Sequence, residues 1–216
     1  ELEDLYLPFR PKRRTRATMA IEKGMEPLAD ALLQAVRQRS GSDVSRMAAA
    51  YVNPEKGVND EEEALAGARD IIAERVSENA QSRNRIRGLF RRTAQLTSKV
   101  VKGKEEEGGK FESWFDWKEN AMRAPSHRIL ALFRGEEEGV LRVHVLPQEE
   151  EPAYEILERQ WVGECASPAA EQVTMAVRDG YKRLLQPSIE TEYWNLLKEK
   201  ADKEAIRVFA ENLRQL

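Results

Sequence analysis

Apolar residues recur at spacings of three and four along most of this chain, the period of an α-helix with one buried face. The clearest stretch follows Asp60, an N-cap residue type, and carries acidic residues at 60–63 where the helix dipole favours negative charge. Its apolar stripe consists of Ala64, Ala68, Ile71, Ile72 and Val76. The pattern predicts a helix over 60–79.

The same period, together with helix start and stop residues, predicts several more helices. Gly24 is expected to end one short helix, and Pro27 to stand in the first turn of the next. Ser42 or Asp43 is expected to cap another, and Asn53, Pro54 and Gly57 to form a turn. The predicted helices cover 17–23, the residues from 26 onward, 44–51, 82–95, 168–185 and 187–214, with Pro187 restarting the last.

The middle of the chain has a different pattern. The pattern changes over 96–109, where Val100 and Val101 form a short β-branched pair followed by the glycine-bracketed segment 102–109, and this stretch predicts a hinge or loop. A helix over 126–133 is expected to run into a short strand, because Leu141, Val143 and Val145 alternate with polar residues; a β-hairpin turning at 135–139 is the competing interpretation. The acidic stretch 148–152 ends in a proline and predicts an exposed loop.

Aromatic residues cluster just after the glycines. Phe111, Trp114 and Phe115 have helical spacing and are expected to be largely buried as anchors on the core. Trp117 and nearby lysines also allow a base-stacking platform, which remains the alternative. Taken together, the patterns predict a mostly all-α, elongated multi-helix scaffold with at most one small β element. Its predicted parts are an N-terminal helical lobe at 1–100 and a second helical lobe at 101–216.

Composition narrows the possible functions. The 35 Lys and Arg residues against 38 Asp and Glu leave a net charge of -3, which argues against a protein that simply coats nucleic acid. The charges occur in blocks, however, so a local basic patch can still attract phosphate. The single cysteine and the lack of a long apolar run predict a soluble, cytoplasmic protein without membrane contact.

Residue types that carry chemistry are sparse. His127, His144 and Cys165 have no metal-ligand spacing, and no nucleophile elbow, phosphate loop or dinucleotide fingerprint is present. We therefore expect no catalytic residue, no metal and no cofactor, and a protein that is not an enzyme. A nuclease would require carboxylates clustered around magnesium, and the acidic runs instead fit helix first turns and loops.

The candidate binding residues lie near the start. Pro8 and Pro11 fix φ and remove donors, so the backbone there is expected to be extended. This basic strap has five cations within seven residues, which repel one another unless an anion offsets them. They are Arg10, Lys12, Arg13, Arg14 and Arg16, the predicted nucleic-acid-binding residues. The alternative is a solvated turn whose arginines pair with neighbouring helices.

Four segments of the chain resemble the Tex family of bacterial transcription accessory proteins. They read LEDLYLPFRPKRRTRA at 2–17, VKGKEEEGGKF at 101–111, APSHRILALFRGEEEGVL at 124–141, and YKRLLQPSIETE at 181–192 with AIRVFAENLRQL at 205–216. Their order and separation match the family over essentially the whole chain.

The resemblance implies a helical core segment that precedes a ribonuclease-H-like YqgF domain, helix-hairpin-helix elements and an S1 RNA-binding domain in a larger protein. It further implies RNA or DNA as the ligand of the intact protein. The expected function is a non-catalytic scaffold in a transcription accessory protein that binds nucleic acid. The alternative is a protein-interaction module docking on RNA polymerase or ribosome-associated proteins.

Overall fold

The computed structural model describes residues 14–214 and confirms the mostly α-helical fold class. None of the described helices combines the length and apolarity needed to cross a bilayer. The helices are α1 Arg16–Glu22, α2 Glu26–Arg37, α3 Val44–Ala49, α4 Glu61–Glu78, α5 Ala80–Thr93, α6 Ser126–Glu137, α7 Glu151–Trp161, α8 Pro168–Asp179 and α9 Gln186–Arg214; the strands are β1 Ala94–Val100, β2 Asp116–Asn120 and β3 Leu141–Pro147.

The described chain divides into two compact units, each built from two separate segments. Unit 1 combines 14–86 with 150–187, and unit 2 combines 87–149 with 188–214. The boundaries fall inside α5 and near the start of α9. The units therefore interleave along the chain, whereas the predicted lobes 1–100 and 101–216 follow it in order, and that division stays a prediction.

Helix α4 is the centre of unit 1. Asp60 caps it as predicted, with one carboxylate oxygen accepting from the Glu63 backbone N–H at 2.8 Å. Helices α1, α2, α3 and α8 all pack against α4. Its contact face is made of small and branched residues that are completely excluded from solvent, or nearly so: Ala64, Ala68, Ile71, Ile72, Ala73 and Val76.

A π-helical turn over Gly180–Leu185 joins α8 to α9, so Pro187 does not restart a separate helix as predicted. The Gln186 N–H donates to the Tyr181 carbonyl, five residues back. Proline disrupts a helix because it has no N–H and its ring crowds the preceding turn. The wider turn just before Pro187 lets the helical path continue through it.

Gly180 allows this turn to press against α4. A Cβ at position 180 would lie 2.7 Å from the Ala73 carbonyl oxygen and 3.0 Å from the Ala73 Cα. The neighbouring Tyr181 is completely buried, and its phenol has no hydrogen-bond partner among the described residues. Burial raises the pKa of the Tyr181 phenol, which stays neutral.

Unit 2 is built on a three-stranded antiparallel sheet in the order β2-β1-β3. The register places Leu96 between Glu119 on β2 and Val145 on β3. One face of the sheet is buried, and α6 packs against β3. The buried side chains of the sheet and of α6 include Leu96, Ser98, Val143, Val145, Ile129, Leu132 and Phe133.

The prediction of a hinge or loop beginning at 96 is wrong at its start, because β1 covers Ala94–Val100. Gln95, predicted to end a helix, lies in this strand. Ser98 is 1% exposed although its position on an alternating pattern would suit an apolar residue. Its hydroxyl donates to the Trp114 carbonyl at 2.6 Å, which offsets the cost of burying it. The polar residue on the buried face concealed the strand.

Two carboxylates accept hydrogen bonds from backbone N–H groups on the outer edge of β3. The Val143 N–H donates to Glu136 Oε1 at 3.2 Å, and the Val145 N–H donates to Glu190 Oε1 at 3.1 Å. Glu136 also accepts from the Trp194 indole N–H at 2.9 Å. The helix before β3 and the long helix α9 thus each supply a partner for a backbone donor of this edge strand.

One further expectation was wrong. The stretch 148–152 was expected to be an exposed loop, but Glu151 begins α7 and Pro152 lies in its first turn. A proline is tolerated there because the first N–H groups of a helix have no intrahelical partner.

At the far end of α9, the apolar residues are exposed: Ile206 is 69%, Phe209 65% and Leu213 56% exposed.

We expect Gly180→Ala to destabilise the protein by about 1–3 kcal/mol, because the added methyl meets backbone atoms of Ala73 that cannot rotate away. Urea unfolding measures the difference. Gly41→Ala is the matched control, since nothing lies within 4 Å of the added methyl and the variant should lose no stability. Equal stability of the two variants would contradict the close packing.

The contribution of Asp70 to folding stability should depend on pH. Burial raises the pKa of its carboxyl, opposed by the nearby Arg183 and Arg16 charges. Because the folded-state pKa lies above the ordinary value of 3.8, ionising Asp70 costs folding stability as pH rises through the raised value. Asp70→Asn should therefore raise the melting temperature at neutral pH, and the gain should vanish below pH 3.8.

Thermal melts at pH 7 and at about pH 3 measure this effect. Asp179→Asn is the contrasting variant, because Asp179 accepts from both Nε and Nη2 of Arg183, at 3.1 and 2.6 Å, and its loss should destabilise. A lower melting temperature for Asp70→Asn at pH 7 would show that the pairing with Arg183 outweighs the cost of burial.

Candidate nucleic-acid interface

The basic strap is described in part. Arg10, Lys12 and Arg13 lie outside the described residues, whereas Arg14 and Arg16 are within them. Helix α1 begins at Arg16, and Thr15 caps it with a capping box: the Thr15 hydroxyl accepts from the Thr18 N–H at 3.1 Å, and the Thr18 hydroxyl accepts from the Thr15 N–H at 2.7 Å. Thr15 therefore marks the point where the strap becomes helix.

Arg14 projects into solvent at this point. Its guanidinium donates to Glu22 at 3.2 Å, and the two side chains are 70% and 62% exposed. An ion pair this exposed contributes at most about 1 kcal/mol, because water and salt screen it. Arg14 can therefore exchange Glu22 for a phosphate at little cost.

Arg16 has a different environment. It lines a cleft of about 280 Å³ in unit 1 together with Lys23, Glu63 and Asp70. The Lys23 ammonium donates to the Gly57 carbonyl at 2.9 Å. Burial raises the pKa of Asp70, and the positive charge of Arg16 opposes that rise, so part of the field of Arg16 is already balanced by a carboxylate. Arg14 and Arg16, neighbours in the sequence, are thus not equivalent as phosphate ligands.

Helix α5 is also rich in arginine, and two of its arginines have structural roles. Arg83 is 5% exposed and donates to the Ser77 carbonyl at 3.2 Å within unit 1. Arg87 makes a two-pronged contact with Glu192 in unit 2, at 2.7 and 3.1 Å. Arg91 and Arg92, in the last turn of α5, are exposed and have no partner among the described residues.

A second group of cations lies on the exposed face of the sheet, which sequence reasoning missed. Successive residues of a strand alternate between the two faces, so this face is fixed by the register. It carries Lys99 on β1, Lys118 on β2 and Arg142 on β3, all exposed. An alternation of apolar and polar residues in β1 and β2 would have indicated this exposed face. The residues on the opposite, buried face are not consistently apolar, so the sequence shows no such alternation.

The aromatic cluster does not form an open stacking face. Phe111 is 5% exposed, and Trp114 and Phe115 are mostly covered by other protein atoms, in agreement with the prediction that these three side chains are largely buried. Trp114 and Trp117 meet edge to face with centroids 4.9 Å apart. The Arg128 guanidinium lies 5.4 Å from the centre of the Trp117 ring. These rings contact protein groups, and a base would have to displace them.

The residues with catalytic or metal-binding potential remain scattered. Within 14–214 no three His, Cys, Asp or Glu side chains come together in a way that could hold a metal ion. His144 Nδ1 lies 2.8 Å from Glu190 Oε1. Cys165 Sγ lies 3.4 Å from the Ser167 hydroxyl, which also caps α8. These contacts are those of surface packing and helix capping.

Comparison with known proteins identifies the family. A family model described as Tex central region-like matches residues 40–209. The chain is 42% identical to Protein tex of Bordetella pertussis and 40% identical to the transcriptional accessory protein Tex of Neisseria gonorrhoeae, with 100% of this chain and 28% of each relative covered. The human S1 RNA-binding domain-containing protein 1 is 27% identical over 100% of this chain and 22% of its own length.

The chain thus spans less than a third of the length of these curated relatives. The family model covers most of the chain and lies over α3 to α9, including both compact units. The chain belongs to the Tex family, as a protein with a Tex central region-like domain.

Proposed function

We propose that this chain is a non-catalytic helical scaffold segment of a transcription accessory protein, and that it contributes phosphate contacts to the binding of RNA or DNA. The names of two relatives support the two parts of the proposal: one is called a transcriptional accessory protein and another an S1 RNA-binding domain-containing protein.

The observation that carries the proposal is the state of Arg14. It continues a run of basic residues in the sequence, stands just before the Thr15 cap, and is held by one exposed carboxylate. Arginine presents a planar fork that suits bidentate contact with phosphate. Contacts of this type position a nucleic acid without reading its sequence. The ligand class is therefore a phosphate backbone.

Neutralising the strap tests the proposal. We expect Lys12→Gln, Arg13→Gln and Arg14→Gln together to weaken binding of single-stranded oligonucleotides similarly for all sequences. The slope of log affinity against log salt should fall by about 0.7 for each lost phosphate contact, so by roughly 2 for three. Fluorescence anisotropy at several salt concentrations measures both quantities. Arg16 is left unchanged because it lies beside Asp70.

The matched control is Arg37→Gln, Arg46→Gln and Lys56→Gln, which removes three exposed positive charges elsewhere in unit 1. The control should keep the affinity and salt slope of the parent. If the strap variant and the control bind alike, the strap is a structural turn, and phosphate contact by the strap is disproved.

A second candidate function is a protein-interaction module that docks on RNA polymerase or ribosome-associated proteins. The observation in its favour is the exposed apolar stripe of α9, where Ile206, Phe209 and Leu213 recur at helical spacing and are each more than half exposed. Binding through such a surface is insensitive to salt, whereas phosphate binding is not. Salt-insensitive binding to a protein, lost in Ile206→Ser with Phe209→Ser, would favour this alternative.

A further inference from the structure

The exposed face of the three-stranded sheet in unit 2 concentrates positive charge. The register brings the residues of this face into three rows across β2, β1 and β3. The rows are Asp116, Lys99 and Arg142; Lys118, Thr97 and His144; and Asn120, Gln95 and Leu146. Three cations with no ion-pair partner among the described residues, Lys99, Lys118 and Arg142, therefore share one surface.

These cations are close together. Side chains directly opposite on neighbouring strands have Cβ atoms about 5 Å apart, and diagonal neighbours are about 7–8 Å apart. Lys99 is directly opposite Arg142 and diagonal to Lys118. Like charges in such positions destabilise a sheet. A bound anion that spans all three positions would offset this repulsion.

The other residues of the face point to the kind of anion. A protein–protein interface has an apolar core, and Leu146 is the one large apolar side chain among the nine residues of the three rows. Thr97 instead supplies a hydroxyl beside the cations, while the Gln95 amide donates to the Thr93 carbonyl and Asn120 Oδ1 accepts from the backbone N–H groups of the following turn. Cations interspersed with neutral hydrogen-bond donors are the groups that contact phosphate and sugar in nucleic-acid complexes.

Two other residues with titratable side chains lie on this face, His144 and Asp116. His144 Nδ1 is 2.8 Å from Glu190 Oε1, so its ring already has a polar partner. Asp116 lies opposite Lys99 and is the one carboxylate at these positions. It weakens the positive field at one end of the face. Because the face lacks aromatic rings, it can hold a backbone but offers no platform for stacking bases.

We propose that this exposed sheet face binds the sugar–phosphate backbone of a single nucleic-acid strand, with Lys99, Lys118 and Arg142 as the phosphate ligands. The inference rests on the proposed nucleic-acid function but assigns a site distinct from the strap, in the other compact unit. Three strands about 4.8 Å apart give a cationic surface about 10 Å wide, which is suited to one backbone. The contacts are independent of base sequence.

The test compares variants that remove three positive charges each. The sheet variant combines Lys99→Gln, Lys118→Gln and Arg142→Gln; the strap variant and the Arg37, Arg46 and Lys56 control are those described above. Each is titrated against labelled oligo-uridine and oligo-thymidine of roughly 20 nucleotides, between about 50 and 200 mM salt. Circular dichroism melts confirm that each variant is folded.

We expect the sheet variant to lose affinity by about tenfold or more and its salt slope to fall by roughly 2, while the control keeps both values. Asp116→Asn, which removes the opposing carboxylate, should bind more tightly than the parent. A gain in affinity cannot arise from misfolding, so this variant keeps the proposal falsifiable even if the triple substitution unfolds the sheet.

The experiment can overturn the strap proposal and the sheet proposal independently. If the strap variant loses affinity while the sheet variant and Asp116→Asn bind like the parent, the sheet site is wrong and the strap proposal stands. If the sheet variant alone loses affinity, the sheet site stands without the strap. Absence of oligonucleotide binding by the parent overturns both. Equal affinity for poly-glutamate would show that the face recognises acidic polypeptide instead, and would overturn the sheet proposal.

Discussion

Unit 1 depends on the contact between two backbones, those of Ala73 in α4 and Gly180 in the π-helical turn. A methyl group at Gly180 would come within 2.7 Å of a carbonyl oxygen, so the two segments are as close as a glycine permits. Helix α4 can accept this approach because its buried face is rich in alanine. Helices α1, α2, α3 and α8 also pack against α4, so its position fixes theirs, whereas α7 packs against α8.

The elements that could be predicted from sequence are those with a long apolar period and capping residues. Helix α4 was predicted within one residue at each end, because Asp60 caps it and its stripe is unbroken. The strands were harder. Ser98 interrupts the buried face of β1, and the buried-side positions of β2 are Trp117 and Glu119, so neither strand shows plain alternation. Helix α7 was hidden because Pro152, in its first turn, resembles a loop ending.

Charged residues were the hardest to predict, because sequence shows where cations are but not which carboxylates they meet. Arg75 contacts Asp30 and Glu26 on α2, and Arg178 contacts Glu158 and Glu151 on α7. Arg75 thus joins two helices that are separated by another helix in the sequence, and Arg178 joins the consecutive helices α7 and α8. The candidate interface consists of cations that are not held in ion pairs of this kind between helices. The strap could be recognised from its local density of charge, whereas the sheet cations became neighbours through strand pairing alone.

The carboxylates on the outer edge of β3 also limit what the sheet can become. An edge strand with free N–H groups is a template on which another chain can add a strand, and this is a route to aggregation. Glu136 and Glu190 occupy two of those donors and place negative charge where an incoming backbone would have to come. A long-lived protein needs such protection against self-association, and here it comes from two side chains rather than from an additional covering segment.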